Sequence, residues 1–371
     1  MESLYSDGMR GNMKKVLFLA NSSSGLYDFR NELVLELLKK YEVYISVPDE
    51  RAVDKLEAEG CKMIHTEINR RGVNPVQDIK LFFHYYKLLG QIKPDVILTY
   101  TIKPNIYGGF AARLRNIPYL VNITGIGSAF ARDNMLQKMV VLMYRQAMKK
   151  ASCIFFQNDG NKQVFEKHRI LGQKSRRING SGVNLETHPY EPYPRREKPH
   201  FLLASRLMRD KGIEEYLAGA KKYAKYAQFD IIGYCEEDHE EEILRLQSEG
   251  ILKFHGYQTN VNAFYKDIDA VIVTSHQEGM SNVILESAAT GRPALATNID
   301  GCKEAVEDNK TGILFEQKSN EALYEAIEKF LALSVEEREE MGRRARAKVE
   351  REFNRADVVK AYMEEIQNVA G

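Results

Sequence analysis

Short apolar runs of strand length alternate with helix-length amphipathic stretches along nearly the whole chain, and they do so in two successive series. In the first series strands are expected at residues 16–20, 43–47, 63–66, 96–99, 119–123 and 153–157. Helices are expected between them at 29–40, 52–59, 75–91, 105–114 and 136–149; Leu33, Val34, Leu37 and Leu38 show the spacing, and Gly60 is a natural C-cap. In the second series strands at 201–204, 229–232, 252–255, 270–274 and 293–297 alternate with helices at 212–226, 237–248, 261–266 and 281–290. A charged, almost wholly helical tail follows from 320 to 370. Alternation of this kind predicts the α/β class: parallel sheets with helices on both faces. Ligands of such sheets sit at the carboxyl ends of the strands. That singles out the turns after Ala20, Thr99 and Ile123.

Between the two series Pro189, Pro192, Pro194 and Pro199 fall close together with charges among them, which reads as an interdomain linker over 188–199. A length of 371 residues suits two domains, each long enough for its own core. The expected layout is a disordered extension at 1–12 and a first Rossmann-like domain at 13–190. A second follows at 191–350, and then a C-terminal helix at 351–371 able to cross back to the first domain. The start is polar and lacks an apolar signal core, whereas the run from Met13 resembles a natural beginning.

Composition excludes several classes. With 44% hydrophobic and 28% charged residues the chain is that of an ordinary globular protein. A formal net charge of +1 argues against a dedicated nucleic-acid binder. No apolar run is long enough to cross a bilayer. Cys61, Cys153, Cys235 and Cys302 are scattered singly, as expected of buried thiols in a reducing cytoplasm, and the eight histidines show no metal-binding spacing.

The densest chemistry follows the apolar run 270–274. There Glu278 closes a loop, residues 279–282 open a helix, and Glu286 lies about two turns into it. Free backbone N–H groups at a helix start suit phosphate or sugar oxygens, and both carboxylates can serve one ligand. A second constellation runs from Ala204 through Ser205, Arg206 and Lys211 to Gly212, at the end of the strand opening the second series.

These two segments resemble the E-x7-E motif and the basic strand-end loop of retaining glycosyltransferases of the GT-B fold, family 4. Gly180 to Asn184, Phe254-His255-Gly256, and Gly301 to Ala305 followed by Gly312-Ile313-Leu314 resemble further parts of that family's pattern. The resemblance covers nearly the whole chain from Met13 and is most specific in the second half. It implies two Rossmann-like domains facing across a cleft, with the acceptor on the first and the nucleotide sugar on the second. Arg206 and Lys211 would then offset charge on the departing diphosphate, a task metal-dependent enzymes give to a divalent ion. Glu278 would hydrogen-bond the donor sugar, and Glu286 the ribose hydroxyls. Gly279, Met280, Ser281 and Asn282 would offer backbone donors, and Ser205 and His255 would stand beside the donor. Ser24 and Gly25 match a small-residue loop that lets donor phosphates approach, and Gly125 and Gly127 a second such loop near the reacting carbon.

Lys103-Pro104-Asn105 and the 124–127 loop look like a subgroup of N-acetylhexosaminyltransferases building lipid-linked oligosaccharides or surface polysaccharides. That implies a UDP-sugar as co-substrate, no cofactor or metal, and a polyprenyl-diphosphate-linked or other glycan acceptor. Many relatives carry a histidine in the loop corresponding to Thr124 and Gly125. This chain has none there; the nearest upstream, His84, falls in a helix. The implied mechanism is front-face retention, with the acceptor proton passing to the leaving phosphate.

On the acceptor side Arg70-Arg71-Gly72, Arg113 and Arg115 are basic. Residues 135–150 mix Met135, Met139, Leu142 and Met143 with Lys138, Arg145, Lys149 and Lys150. Such a helix suits either peripheral contact with the inner face of the cell membrane or ordinary packing. Two other readings share the donor pocket: a nucleotide-sugar epimerase or hydrolase, and a non-catalytic nucleotide-sugar-binding protein. Product analysis with UDP-sugar alone separates them.

Overall fold

The computed structural model describes residues 13–69, 74–126, 130 and 135–371. The expected extension over 1–12, Gly127 and the basic triplet Arg70-Arg71-Gly72 lie outside the described residues. The chain divides into two units. Unit 1 comprises the residues up to Ile178 together with Val358–Gly371, and unit 2 is Asn179–Asp357.

Unit 1 runs β1 (Lys15–Leu19), α1 (Ser23–Leu38), β2 (Glu42–Val47), α2 (Val53–Ala58), β3 (Lys62–His65), α3 (Pro75–Ile92) and β4 (Val96–Tyr100). A π-helical turn at Pro104–Gly108 leads into α4 (Gly109–Arg115), followed by β5 (Tyr119–Ile123), α5 (Met135–Met148), β6 (Cys153–Phe156), α6 (Asp159–Lys167) and β7 (Ser175–Arg177). The strands order as β3-β2-β1-β4-β5-β6-β7, all parallel. Unit 2 contributes β8 (His200–Ala204), α7 (Ile213–Tyr223), β9 (Gln228–Ile232), α8 (Glu240–Ser248), β10 (Lys253–Phe254) and α9 (Asn262–Tyr265). It continues with β11 (Ala270–Val273), α10 (Asn282–Ala289), β12 (Ala294–Thr297), β13 (Gly312–Phe315), α11 (Asn320–Ala332) and α12 (Val335–Glu352). Its strands order as β10-β9-β8-β11-β12-β13. The last helix, α13 (Arg355–Ala370), belongs mostly to unit 1.

Both sheets therefore reverse direction beside their first strand: between β1 and β4 in unit 1, and between β8 and β11 in unit 2. In an open α/β sheet this switch point, at the carboxyl ends, is where ligands bind. Each sheet is buried on both faces. Val16, Phe18 and Leu98 pack toward α1 and α13, while Leu17, Leu19 and Ile97 pack toward α3, α4 and α5. In unit 2 Phe201, Leu203 and Ile231 face α7, α8 and α11; Leu202, Ile232 and Val271 face α9, α10 and α12.

Local chemistry sets the element ends. Ser22 caps α1 by accepting the Gly25 N–H at 3.2 Å, so the helix starts at Ser23 and not near residue 29. The polar run expected as a flexible turn is thus a cap and first helical turn. Asn74 caps α3 ahead of Pro75, whose missing N–H costs nothing at N1. The tail is three helices, and α12 opens on a capping box from Ser334 and Glu337.

The proline-rich stretch is not a free tether. Tyr193 is buried and donates to the Asp269 carbonyl at 2.9 Å. The fully buried Arg292 reaches the carbonyls of Glu191 and Pro192, each at 2.9 Å. The stretch is packed onto unit 2, and the boundary falls earlier, at Ile178. Just past it Val183 bridges Asn354, and Gly182, at φ 64°, passes so close to Arg355 that a Cβ would lie 2.6 Å from that residue's Cα.

Candidate functional site

The switch point of unit 2 gathers the two strongest sequence constellations. After β8 the chain runs through Ser205 and Arg206 into a single 3₁₀ turn at Arg209–Lys211 and then Gly212. After β11 it runs from Thr274 to Ser281, where α10 begins. The loops are clamped together. Gly212 adopts φ 69°, and a Cβ there would sit 2.1 Å from the Thr274 carbonyl oxygen, so only glycine lets the backbones approach this closely. Thr274 Oγ1 donates to the Lys211 carbonyl at 3.0 Å, and the His276 N–H to that of Asp210 at 2.9 Å.

This clamp delivers Lys211 to Glu278. Lys211 Nζ lies 2.6 Å from Glu278 Oε1, and the Ser275 hydroxyl donates to the same oxygen at 2.7 Å. The two charged side chains are only 19% and 15% exposed. Gly301, at φ 87°, closes the far side: a Cβ there would meet Glu278 Cβ at 2.8 Å. Glu278 is thus held by the Ser275 hydroxyl and the Lys211 cation, with the Gly301 backbone packed against it.

Glu286 lies about one turn into α10, where the buried Tyr265 hydroxyl donates to its Oε2 at 2.8 Å. Burial, and then the Glu286 charge, push the phenol of Tyr265 far up, so it stays a donor. Burial, and then the nearby Glu278, likewise raise the Cys302 thiol, which disfavours the thiolate there.

Other expected residues stand differently. Arg206 pairs with Glu236 at 2.5 Å and is 46% exposed; it does not reach Glu278 in this state. The Ser205 carbonyl lies 1.8 Å from where a Cβ on Gly233 would sit, so it marks another backbone close approach. The His255 imidazole turns to the β9 carboxylate Asp230 at 3.2 Å and lies edge-on to Phe264. Among residues 279–282, Met280 is buried against Gly180. The Ser281 N–H is already bound to the Gly301 carbonyl at 2.9 Å, so Ser281 cannot offer it to a phosphate. Asn282 keeps a buried Oδ1 without a protein partner at the helix start.

In unit 1 Ser24 and Gly25 form the first turn of α1, with Ser24 Oγ 3.0 Å from Ser22 Oγ. Gly125 follows β5 by two residues. The turn after Thr99 was singled out but Thr101 in it was not: its backbone is at φ 72° and its buried hydroxyl lacks a partner among the described residues. A β-branched residue in that conformation is strained and recurs at functional sites, but nothing in a sequence marks it. Tyr265, Ser275 and the His276–Glu215 pair at 2.9 Å were also missed. Only Ser275 and His276, inside the motif loop, were within reach of a closer reading.

Two Rossmann-like units, each with the switch point of a parallel sheet at its strands' carboxyl ends, give the chain the GT-B glycosyltransferase fold. Its residues 189–348 match the family described as Glycosyl transferases group 1, and residues 15–158 match Glycosyl transferase 4-like.

Among its relatives is the N,N'-diacetylbacillosaminyl-diphospho-undecaprenol alpha-1,3-N-acetylgalactosaminyltransferase of Campylobacter jejuni. It is 26% identical over 334 residues, covering 84% of this chain and 88% of that one. The UDP-Gal:alpha-D-GlcNAc-diphosphoundecaprenol alpha-1,3-galactosyltransferase of Escherichia coli is 25% identical over 283 residues, 69% of this chain and 71% of that one. Anabaena Alr3699/HepE, solved in complex with UDP-glucose, superposes with a TM-score of 0.80 at 17% identity, covering 95% of this chain and 99% of that one.

Proposed function

We propose that this glycosyltransferase moves an N-acetylhexosamine from a UDP-sugar to a glycan carried on polyprenyl diphosphate, with retention at the anomeric carbon and without a metal ion. The observation that carries the reading is the Lys211–Glu278 pair at 2.6 Å, held between the ends of β8 and β11. The names of the Campylobacter jejuni and Escherichia coli relatives support the acceptor class, and that of the latter the UDP donor.

The proposed cycle uses the charges already in place. On donor arrival a diphosphate oxygen replaces the Glu278 carboxylate on Lys211. Ser275 keeps Glu278 oriented, and the freed oxygen takes a hydroxyl or amide N–H of the donor sugar. Arg206 exchanges Glu236 for a phosphate oxygen, a small change because that pair is open to solvent. Glu286, fixed by Tyr265, takes the ribose hydroxyls. The bond from the anomeric carbon to the phosphate oxygen breaks, and the acceptor oxygen bonds to the same face. The acceptor proton passes to the departing phosphate oxygen. Two cations on that diphosphate supply the stabilisation asked of a metal elsewhere.

Peripheral membrane contact belongs to the same reading. α5 exposes Met135, Met139 and Leu142 at 86%, 45% and 56%, interleaved with Lys138 and Arg145. An apolar stripe edged by cations suits an anionic lipid surface. Among the described residues no helix is long and apolar enough to cross a membrane.

The test is UDP release across a panel of UDP-sugars, with and without short-chain polyprenyl-diphosphate glycans. Expected is acceptor-dependent release from one N-acetylhexosamine donor, unchanged by EDTA and lost in Glu278→Ala, with an α-linked product from an α-linked donor by NMR. Release independent of acceptor, an EDTA-sensitive rate, or a β-linked product would each overturn its part of the proposal.

A further inference from the structure

Unit 1 holds a polar cavity of about 640 Å³ that the donor reading leaves unused. We infer that this cavity, at the carboxyl ends of β2 and β3, seats the acetamido sugar of the acceptor, with Gln77 and His84 reading its polar substituents. The inference deepens the acceptor assignment proposed above and rests on it for the choice of sugar.

Position comes first. Pro48 follows β2 directly, His65 ends β3, and both line the cavity; α3 forms its wall. Lys103 reaches in from the turn after β4, so the pocket extends toward the switch point of the sheet. The neighbouring residue Asp49 accepts the Ser23 N–H at 2.8 Å and also its hydroxyl. The cavity rim and the start of α1, with Ser24 and Gly25, are therefore one hydrogen-bonded piece.

The lining chemistry selects the ligand. Pro48, Ile68 and Leu81 supply an apolar surface, and Gln77, His84 and the Asp78–Lys103 pair supply polar groups. A pyranose has the same division: a C–H face and a rim of hydroxyls and amide. The volume falls within the range of about 300–1,000 Å³ usual for small-molecule sites. A diphosphate fits poorly. It calls for concentrated positive charge, yet the two lining lysines, Lys80 and Lys103, are matched by two lining carboxylates, Glu67 and Asp78, and Lys103 lies 2.7 Å from Asp78 with both side chains 15% exposed. Burial, then Lys87 and His65, hold the His84 imidazole below its usual titration range, so it is neutral near pH 7.

His84 is also oriented. One ring nitrogen lies 2.9 Å from Thr66 Oγ1, which lies 2.7 Å from Ser46 Oγ, and both hydroxyl residues are buried. A neutral imidazole anchored through one nitrogen offers the other as a single directed hydrogen-bonding group. The two hydroxyls satisfy each other and fix the ring that Thr66 holds, an arrangement that suits recognition.

Saturation-transfer NMR on the full chain tests this, with methyl N-acetyl-α-D-glucosaminide and UDP as probes. Gln77 is exposed on the first turn of α3, so Gln77→Trp fills the cavity while leaving the helix intact. Expected are sugar signals in the wild type that fall at least fivefold in Gln77→Trp, with UDP signals equal in both. Sugar signals absent from the wild type, or undiminished in the variant, would overturn the inference. Missing UDP signals beside the expected sugar behaviour would strike the donor reading and leave this pocket standing. In turnover, His84→Ala is expected to raise the acceptor KM about tenfold with donor KM unchanged and partial recovery in His84→Gln; an effect confined to donor KM would overturn it.

Discussion

A single lysine carries most of the proposed charge handling, and its surroundings say what replacing it does. Lys211 meets Glu278 at 2.6 Å while its backbone is fixed by Thr274. Lys211→Ala is expected to lower kcat about 10²–10³-fold, the usual loss when one preorganised donor to developing negative charge is removed. Lys211→Arg should recover little, because the planar guanidinium cannot occupy the pocket of a compact ammonium. Steady-state UDP release checks both, and a Lys211→Arg rate near wild type would refute the geometric argument. Gly212→Ala should act through the fold instead. A φ of 69° costs about 1–3 kcal/mol in a non-glycine residue, and the methyl would collide with the Thr274 carbonyl at 2.1 Å. Urea unfolding should show that loss or more. The candidate residues Arg206, Lys211, Glu278 and Glu286 were legible because family-like spacing marks them. Their distant partners were not: Glu236 and Tyr265 meet Arg206 and Glu286 only through tertiary packing, whereas Ser275 sits in the loop of Glu278 itself.

At the scale of elements the sequence was most readable where a strand is buried on both faces. β1, β4, β5, β8 and β11 are mostly apolar runs, and each lies within about a residue of its expected place. Elements that bury little escaped: β7 is the polar triplet Ser175–Arg177 on the sheet edge, and α6 has only Asn161 and Phe165 buried. The π-helical turn at Pro104–Gly108 escaped too, since the sequence reads as plain helix there. Such turns recur at functional sites, and this one follows the strained Thr101 and carries Asn105, whose side chain donates to the Asn122 carbonyl at 2.9 Å. The α5 helix yields its own prediction. Replacing Met139 and Leu142 together by glutamate removes exposed apolar surface and adds repulsion, without touching the buried face of Val140, Val141 and Tyr144. Binding to phosphatidylglycerol vesicles should fall at least tenfold, given about 1.5–3 kcal/mol for a fully inserted apolar side chain. Wild-type binding should weaken with salt. Equal sedimentation of both proteins with vesicles would exclude α5 as the contact.

The whole chain is threaded so that unit 1 cannot be finished until its end. Unit 1 is interrupted by residues 179–357 and completed by Val358–Gly371. That last segment is core: Val358, Ala361, Tyr362, Met363 and Ile366 all join the cluster around Val16, Phe18 and Leu98. It also satisfies charges. The buried Arg30 guanidinium sits 5.6 Å from the Tyr100 ring and 5.7 Å from that of Tyr362. The Tyr362 hydroxyl donates to Asn122 at 2.5 Å, and the buried Glu365 accepts from Lys174 and Arg176 at 2.5 and 3.3 Å. Ending the chain at Asp357 would strip one face of the sheet and leave Arg30 without one of its two rings. Losing one large apolar contact of this kind costs about 2–5 kcal/mol, and four go at once (Val358, Tyr362, Met363 and Ile366), against a total stability of about 5–15 kcal/mol for a domain. The truncated chain should therefore keep a cooperative unit 2 and lose unit 1. Hydrogen exchange followed by mass spectrometry distinguishes the units directly: peptides from β8 and β11 should stay protected while those from β1 and β4 exchange freely. Full protection of β1 and β4 without the last fourteen residues, Val358–Gly371, would mean that α13 is an ornament on a core already complete. Its buried tyrosine, isoleucine and glutamate argue that it is the closing piece, and that unit 2, whose residues all precede Val358, is free to fold first.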